Sequence, residues 1–240
     1  MTQSYGSTHV RDPRNDPRPV ELLGENARAT FIARTYSHLF AAVLGFVAVE
    51  YFFFTTGLAE VMARAMLGTN WLLVLGGFIL VNWLATRAAQ GSTSLATQYL
   101  ALAGFVVAEA VIFVPMLFIA QLYAQGGVIE SAATVTLLGF GALTMIAFWT
   151  RRDFSFLGAL LRWVGILALV AIAAAVLFGF ELGTWFSVGM IGVAGASILY
   201  DTSNVIHRYP EDRFVAAALQ LFASVALMFW YVLRLFMSRD

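Results

Sequence analysis

The chain has 240 residues, of which 60% are hydrophobic and only 12% are charged, whereas a soluble domain carries roughly 25% charged residues. Fourteen arginines and no lysine balance fourteen acids, so there is no basic surface field that would attract nucleic acid. Cysteine is absent, which excludes disulfides, thiolate nucleophiles and iron–sulfur clusters. This composition indicates a membrane protein.

Residues 1–34 form a polar N-terminal segment with several arginines, three prolines and no early apolar core, which is unlike a cleaved signal peptide. Such a composition buries too little apolar surface to offset the entropy of ordering. We therefore expect a largely disordered cytoplasmic tail over residues 1–34, disordered up to about Glu21, with a short surface helix between Glu21 and Arg34 as an alternative for its second part.

Seven apolar windows follow the tail, each near the roughly 20 residues that a helix needs to cross a hydrocarbon core of about 30 Å. None shows the sustained alternation of a barrel strand. The sequence therefore predicts an all-α membrane domain over residues 35–240. Its seven transmembrane helices are expected at about 36–56, 71–89, 98–123, 131–150, 156–180, 184–205 and 214–236.

The arginines predict the orientation of these seven spans. With the N-terminal tail in the cytoplasm, eleven arginines lie on the cytoplasmic side and only Arg64, Arg234 and Arg239 lie outside. Because short cytoplasmic loops are enriched in arginine and lysine, this distribution favours a cytoplasmic N-terminus and a C-terminus on the opposite side.

Three acids fall inside the apolar windows, and each is a candidate functional residue because a carboxylate at mid-bilayer costs about 3 kcal/mol on insertion scales. Glu50 is near the outer end of the first window, where we expect it to reach the headgroups. Glu109 is near the middle of the third window, too deep for a glutamate to reach the surface. Whether Glu109 faces the bundle or lipid is left open.

The third acid, Asp201, lies six residues before His207 and so about 9 Å inside the cytoplasmic end of the sixth window. Its polar neighbours, among them Thr202 and Asn204, predict a polar pocket open to the cytoplasm. Arg87, at comparable depth in the second window, is the candidate counter-ion. The two would form either a latch, meaning an ion pair that protonation or a cation releases, or a permanent structural pair. Glu109 and Asn204 are candidates for a polar pathway.

The sequence shows no motif for metal binding, nucleophilic catalysis or phosphate binding. The three histidines, His9, His38 and His207, are isolated, and no metal-binding spacing such as His-Glu-x-x-His occurs. No Gly-x-Ser-x-Gly elbow or phosphate-binding Gly-rich loop with lysine is present. We expect no metal, no cofactor and no enzymatic activity.

Several short motifs together resemble the Bax inhibitor-1 family (transmembrane Bax inhibitor motif) over roughly residues 34–240, and most of all its bacterial branch, which includes modulators of the membrane AAA protease FtsH. These motifs are Arg34-Thr-Tyr36, Thr150-Arg-Arg-Asp153-Phe-Ser-Phe-Leu-Gly158, Gly195-Ala-Ser-Ile-Leu-Tyr-Asp201-Thr-Ser-Asn-Val-Ile-His207 and Met237-Ser-Arg-Asp240.

The resemblance implies six helices around a central hydrophobic seventh, in the bacterial inner membrane, with FtsH as partner. Some family members form a pH-sensitive leak for calcium ions, in which two aspartates share a proton. Asp201 falls on the first aspartate position, whereas Ser224 stands at the second. Because coupled titration needs a second carboxylate, Ser224 favours the FtsH-modulating branch over a leak for calcium ions or protons.

Overall fold

The computed structural model describes residues 19–123 and 126–238, and these form helices and turns with no strand. The eight helices are α1 Glu25–Thr55, α2 Leu58–Leu67, α3 Trp71–Gly91, α4 Leu95–Tyr123, α5 Val128–Thr150, α6 Leu157–Phe178, α7 Thr184–His207 and α8 Phe214–Met237. Two short 3-10 turns, Val20–Leu22 and Glu211–Arg213, precede α1 and α8. The prediction of an all-α protein is confirmed.

Six helices of the described chain are long and apolar enough to cross a membrane, namely α1, α3, α4, α5, α6 and α8. The remaining long helix, α7, has 24 residues, but its second half carries Ser197 and the polar run from Asp201 to Asn204. These residues lower its mean hydropathy below that of a typical span. The multi-pass membrane class is therefore established by six helices, and the seventh span stays a prediction.

The helix α2 was not predicted, because two charged residues interrupt the apolar pattern there. Gly57, at φ 78°, provides the left-handed turn that separates α2 from α1. Ala59 and Ala63 are buried against α4. On the exposed side Arg64 pairs with Glu60 at 2.7 Å, one helical turn away. The charges therefore belong to a short amphipathic helix.

The last helix, α8, lies at the centre of the bundle. It packs against α1, α3, α4, α5 and α7, and residues such as Ala217 and Leu221 are completely buried. A run of alanines, Ala216 to Ala218, lets neighbouring backbones approach closely, as packing in lipid requires. Farther along α8, the Phe229 ring stacks on Phe113 of α4 at a centroid distance of 5.4 Å. This arrangement agrees with a central hydrophobic helix.

The segment before α1 is part of the fold from Pro19 onward. Val20 is fully buried, and its N–H donates to the Tyr209 carbonyl in the α7–α8 turn at 2.9 Å. Burial also raises the pKa of the Tyr209 phenol. The structure therefore differs from the tail expected over residues 1–34 in the second part of that range, because Val20 and Phe31 bury their apolar side chains there. Residues 1–18 lie outside the described part.

Two turns at the same end of the bundle are joined by side-chain hydrogen bonds. Arg213 Nη1 donates to the Gln90 carbonyl in the last turn of α3 at 2.9 Å and also to the Ser92 carbonyl in the α3–α4 turn. Gln98 Nε2 donates to the Asp212 carbonyl at 3.1 Å. These contacts hold the start of α8 against the ends of α3 and α4.

Replacing Arg213 with alanine is expected to lower the free energy of unfolding by about 2 kcal/mol, because hydrogen bonds to a charged donor are worth roughly 1.5–3 kcal/mol. The matched control is Arg208→Ala, which removes an exposed ion pair with Asp153 at 3.1 Å and should cost about 0–1 kcal/mol. Chemical unfolding in detergent measures both. Equal losses would contradict the proposed role of Arg213.

Candidate functional site

The polar site begins where α7 and α8 meet. Asp201 on α7 is 2% exposed and Ser224 on α8 is 5% exposed. The Ser224 hydroxyl donates to Asp201 Oδ2 at 2.5 Å. Such a donor stabilises a buried carboxylate, because lipid supplies none. Of the three residues predicted around this site, Asp201, Arg87 and Ser224, the structure thus brings Asp201 and Ser224 together.

A cavity of about 280 Å³ adjoins this pair and is enclosed by α6, α7 and α8. It contains a second charged side chain, Arg162 of α6, whose Nε donates to the Gly158 carbonyl at 3.3 Å. Gln220 and Tyr200 contribute an amide and a phenol to its wall. None of these three was predicted as a site residue, although Arg162 lies one helical turn after Gly158, the last residue of the motif that begins at Thr150.

Arg87, the third predicted residue, lies elsewhere. Its guanidinium carbon is 5.3 Å from the centroid of the Trp83 ring, the side chain is exposed, and no ion pair joins it to Asp201, although the structure describes both residues. The physical reason is the rotation of α3. Ala85 and Ala89 face the bundle, and Arg87 stands midway between them, on the opposite face of the helix.

Residues on the other side of Asp201 extend the polar region toward α1 and α5. Tyr36, from the Arg34-Thr-Tyr36 motif, lies beside Thr144 of α5 and Thr202 of α7. Thr202 is fully buried. The motif Arg34-Thr-Tyr36 in the first half of α1 therefore meets the motif at the end of α7 inside the bundle.

The α5–α6 turn is also bound to the end of α7. The Phe154 N–H donates to Ser203 Oγ at 2.9 Å, and Arg208 donates to Asp153 Oδ2 at 3.1 Å. The backbone N–H of Ser155, at 2.9 Å from Asp153 Oδ1, and the neighbouring Arg208 hold the pKa of the Asp153 carboxyl below its usual value. Two motifs that are distant in sequence thus form one contact.

Glu109 faces the interior of the bundle. It is 6% exposed and lines a larger, partly open cavity of about 1290 Å³ that lies mainly between α3, α4, α6, α7 and α8. This cavity and the smaller one share four lining residues: Leu161, Ser197, Gln220 and Ser224. Asn204 lines neither of the two cavities; its carbonyl accepts the Arg208 N–H at 2.8 Å and so ends α7.

Glu50 does not reach the surface, and that expectation is wrong. It is 7% exposed, and neither carboxylate oxygen has a hydrogen-bond partner in the described chain. It continues the buried stripe of α1, which includes Leu39 and Ala42. The surroundings of Glu50 are decided by the face of α1 on which it lies, and not by its depth in the membrane. Among the described residues no group of three or more histidines and acids is arranged to hold a metal.

Replacing Ser224 with alanine is expected to destabilise the protein by about 1–3 kcal/mol, because the buried Asp201 would lose its donor. The control is Ser187→Ala, a change at a serine of α7 that is likewise buried, at 2% exposed, and lines the larger cavity. Thermal unfolding in detergent compares the two variants. A Ser224→Ala loss no larger than that of the control would show that the contact with Asp201 is dispensable.

These features define the class: a polytopic helical membrane protein with a buried carboxylate site between its last two long helices. Residues 28–240 match the family model described as Bax1-I, inhibitor of apoptosis-promoting Bax1. The chain belongs to the Bax inhibitor-1 family, which confirms the resemblance noted from the sequence.

The individual relatives share about a third of their residues with this chain over the matched segments. Protein LIFEGUARD 4 of Arabidopsis thaliana is 32% identical over 126 residues, covering 49% of this chain and 50% of the relative. The modulator of FtsH protease YccA of Escherichia coli is 31% identical over 119 residues, covering 48% and 54%. The uncharacterized protein Cj0236c of Campylobacter jejuni is 29% identical over 226 residues, covering 90% and 94%. The chain thus spans about half the length of the first of these relatives.

Proposed function

We propose that this chain is a seven-span protein of the bacterial inner membrane that modulates the protease FtsH by binding it. The support from relatives is the similarity to YccA, whose name describes it as a modulator of FtsH protease. In this proposal α7 is the seventh span, its 24 residues being sufficient in length. The N-terminus is cytoplasmic and the C-terminus periplasmic.

The observation that carries the proposal is the hydrogen bond from Ser224 to Asp201 at 2.5 Å. A hydroxyl fixes one carboxylate in place but cannot share a proton with it as a second acid would. The site then serves to hold α7 against α8. Modulation would proceed by occupancy of the protease, with no covalent step.

The arrangement at the Asp201 end of the bundle supports a route for binding. Because Val20 is fixed to the α7–α8 turn, a protease that engages residues 1–18 would be brought directly to the ends of α7 and α8. Arg151, Arg152 and Arg208 are exposed at the same end. They could pair with acidic side chains of a partner.

The test is degradation of a membrane substrate by FtsH in proteoliposomes, with and without the full chain. We expect the full chain to bind FtsH and slow degradation. A deletion of residues 2–18, which leaves Val20 in place, should lose most of this effect, whereas a scrambled sequence of equal length controls for tail length. If FtsH degrades its substrate equally fast with and without the full chain, the proposal is overturned. If the deletion variant inhibits FtsH as fully as the full chain, residues 2–18 are not needed for binding.

A second candidate function is a pH-sensitive leak for calcium ions or protons, with Asp201 as the latch. Its specific support is that the two cavities share lining residues. In this proposal the route would pass from Asp201 along Glu109 toward the opposite end of the bundle. Arg162, which lines the cavity of Asp201, would hold the route closed, a role first predicted for Arg87.

Flux into liposomes containing a calcium dye, measured at pH 6 and pH 8, tests the leak. We expect Asp201→Asn to change the flux and Arg162→Ala to raise it, whereas Arg87→Ala serves as the matched control because Arg87 contacts Trp83. Equal, background-level flux in the wild type and in Asp201→Asn would reject this function.

A further inference from the structure

The larger cavity has a charged mouth at the end of the bundle opposite Asp201. Arg234, in the last turn of α8, lines it together with Glu181 of the α6–α7 turn. Arg234 is half-buried, and its Nη2 donates to the Leu182 carbonyl, next to Glu181, at 2.8 Å. One positive and one negative side chain thus stand at the same opening, and the remaining guanidinium N–H groups are available to a ligand.

The same cavity opens sideways between α3 and α6. Ile79 of α3 and Leu169 of α6 line it and are each 40% exposed, and Val176 of α6 lines it and is 39% exposed. No neighbouring helix covers these side chains, and the cavity is partly open to the outside, so we place its lateral opening between α3 and α6. In a membrane protein that apolar surface is covered by lipid.

The walls below the mouth are mainly apolar, although Glu109 also lines the cavity. Ala168 and Ala175 of α6 form one side, and near the mouth the Trp71 ring stacks on Trp230 with centroids 6.3 Å apart. Tryptophan is enriched at the level of lipid headgroups. A volume of about 1290 Å³ exceeds the range of roughly 300–1,000 Å³ that is usual for small-molecule pockets, so a long hydrocarbon chain can be accommodated.

We propose that this cavity binds one aminophospholipid, of the phosphatidylethanolamine type. The phosphate lies on Arg234, because guanidinium forms paired hydrogen bonds with phosphate oxygens. The ammonium group lies at Glu181, and one acyl chain enters between α3 and α6 toward Ala168. A headgroup with one negative and one positive charge matches the two side chains at the mouth, whereas a purely anionic headgroup would face the Glu181 carboxylate.

This inference does not depend on the proposed binding of FtsH, because it concerns the other end of the bundle and a ligand of a different kind. It does involve the cavity assigned to the leak, which a bound acyl chain would fill. Its test is native mass spectrometry of the intact, detergent-purified chain titrated with phosphatidylethanolamine or phosphatidylglycerol. We expect one phosphatidylethanolamine to be retained per chain and phosphatidylglycerol to bind several-fold more weakly. Equal binding of the two lipids, or no retained lipid, would overturn the proposal.

Variants of the two charged residues test the headgroup contacts. Arg234→Ala should weaken retention about tenfold, since it removes a charge-assisted contact with phosphate. Glu181→Gln should bring the affinity for phosphatidylethanolamine down to that for phosphatidylglycerol. The control is Arg64→Ala, which removes an exposed arginine at the same end, paired with Glu60, and should leave retention unchanged. Wild-type retention by Arg234→Ala would contradict the site.

A blocking variant tests the acyl channel. Gly165 of α6 lines the cavity, and a Cβ there would meet no atom within 4 Å, so Gly165→Phe should fill the channel and abolish retention. Gly77→Phe, at an exposed glycine of α3 with equally open surroundings, should retain lipid. If Gly165→Phe folds poorly, Gly165→Leu takes its place. Lipid retention by a folded Gly165 variant at the wild-type level would refute the proposed channel.

Discussion

Replacing Val20 with aspartate is expected to destabilise the full chain by about 3 kcal/mol or more. Val20 is fully buried against the α7–α8 turn, and an unpaired charge placed in such a position costs several kcal/mol. Because its N–H is bonded to Tyr209, the segment would have to detach for the aspartate to reach water. The loss should appear as a lower midpoint of urea unfolding in detergent.

The matched control is Leu22→Asp, two residues away in the same turn, where the side chain is 69% exposed. That change should alter stability by less than about 0.5 kcal/mol, as exposed substitutions usually do. Proteolysis from the N-terminal side adds a second measurement, since detachment of residues 19–23 would expose them to cleavage in Val20→Asp only. Similar midpoints for the two variants would mean that this segment does not contribute to the fold.

Replacing Gly158 with leucine is expected to cost about 2 kcal/mol and to change the cavity beside Asp201. A Cβ at position 158 would lie 2.8 Å from Cε2 and 2.9 Å from the hydroxyl oxygen of Tyr200, closer than packing allows. The Tyr200 ring would have to swing away from α6, and inserting methylenes into packed interiors typically costs about 1–3 kcal/mol. Thermal unfolding in detergent measures this loss of stability. Tyr200 fluorescence cannot be used, because the tryptophans of the chain mask it.

Gly165→Leu on the same helix is the control, because its Cβ would meet nothing within 4 Å. It should be neutral or slightly stabilising, since glycine is a poor helix former. A double mutant, Gly158→Leu with Tyr200→Ala, should recover about 1 kcal/mol if the two side chains clash. Additive losses in this cycle would show that Tyr200 is not the obstacle.

The helices were predictable because the length of an apolar window is set by the membrane itself. The predicted window 71–89 and the helix Trp71–Gly91 differ by two residues at one end. The short helix α2 could not be found in the same way, because Glu60 and Arg64 read as a break in hydropathy when they form a pair on one face of a helix.

The candidate site was predictable in part. What the sequence reasoning missed was how each helix is rotated about its own axis. The motif containing Asp201 and the position of Ser224 came from family resemblance, and the structure places the two side chains in contact. Arg87 and Glu50 were judged by depth in the membrane, whereas burial depends on which face of the helix turns inward. The stripe Leu39, Ala42 and Glu50, and the buried pair Ala85 and Ala89, carried that information.

The cavities could not be anticipated, because they depend on distances between helices that are far apart in the chain. The cavity with Arg162 lies between α6, α7 and α8, and the larger one needs five helices. Local patterns report the face of one helix but not the gap between two.

The central position of α8 has a consequence for the order in which the protein assembles during its synthesis. Chains are synthesised from the N-terminus and their parts fold in that order, yet the helix that fills the centre follows the other seven along the chain. Until α8 leaves the ribosome, Asp201 lacks the Ser224 hydroxyl as its donor. The packing of α1, α3, α4, α5 and α7 around α8 is therefore completed only after the last helix has been made.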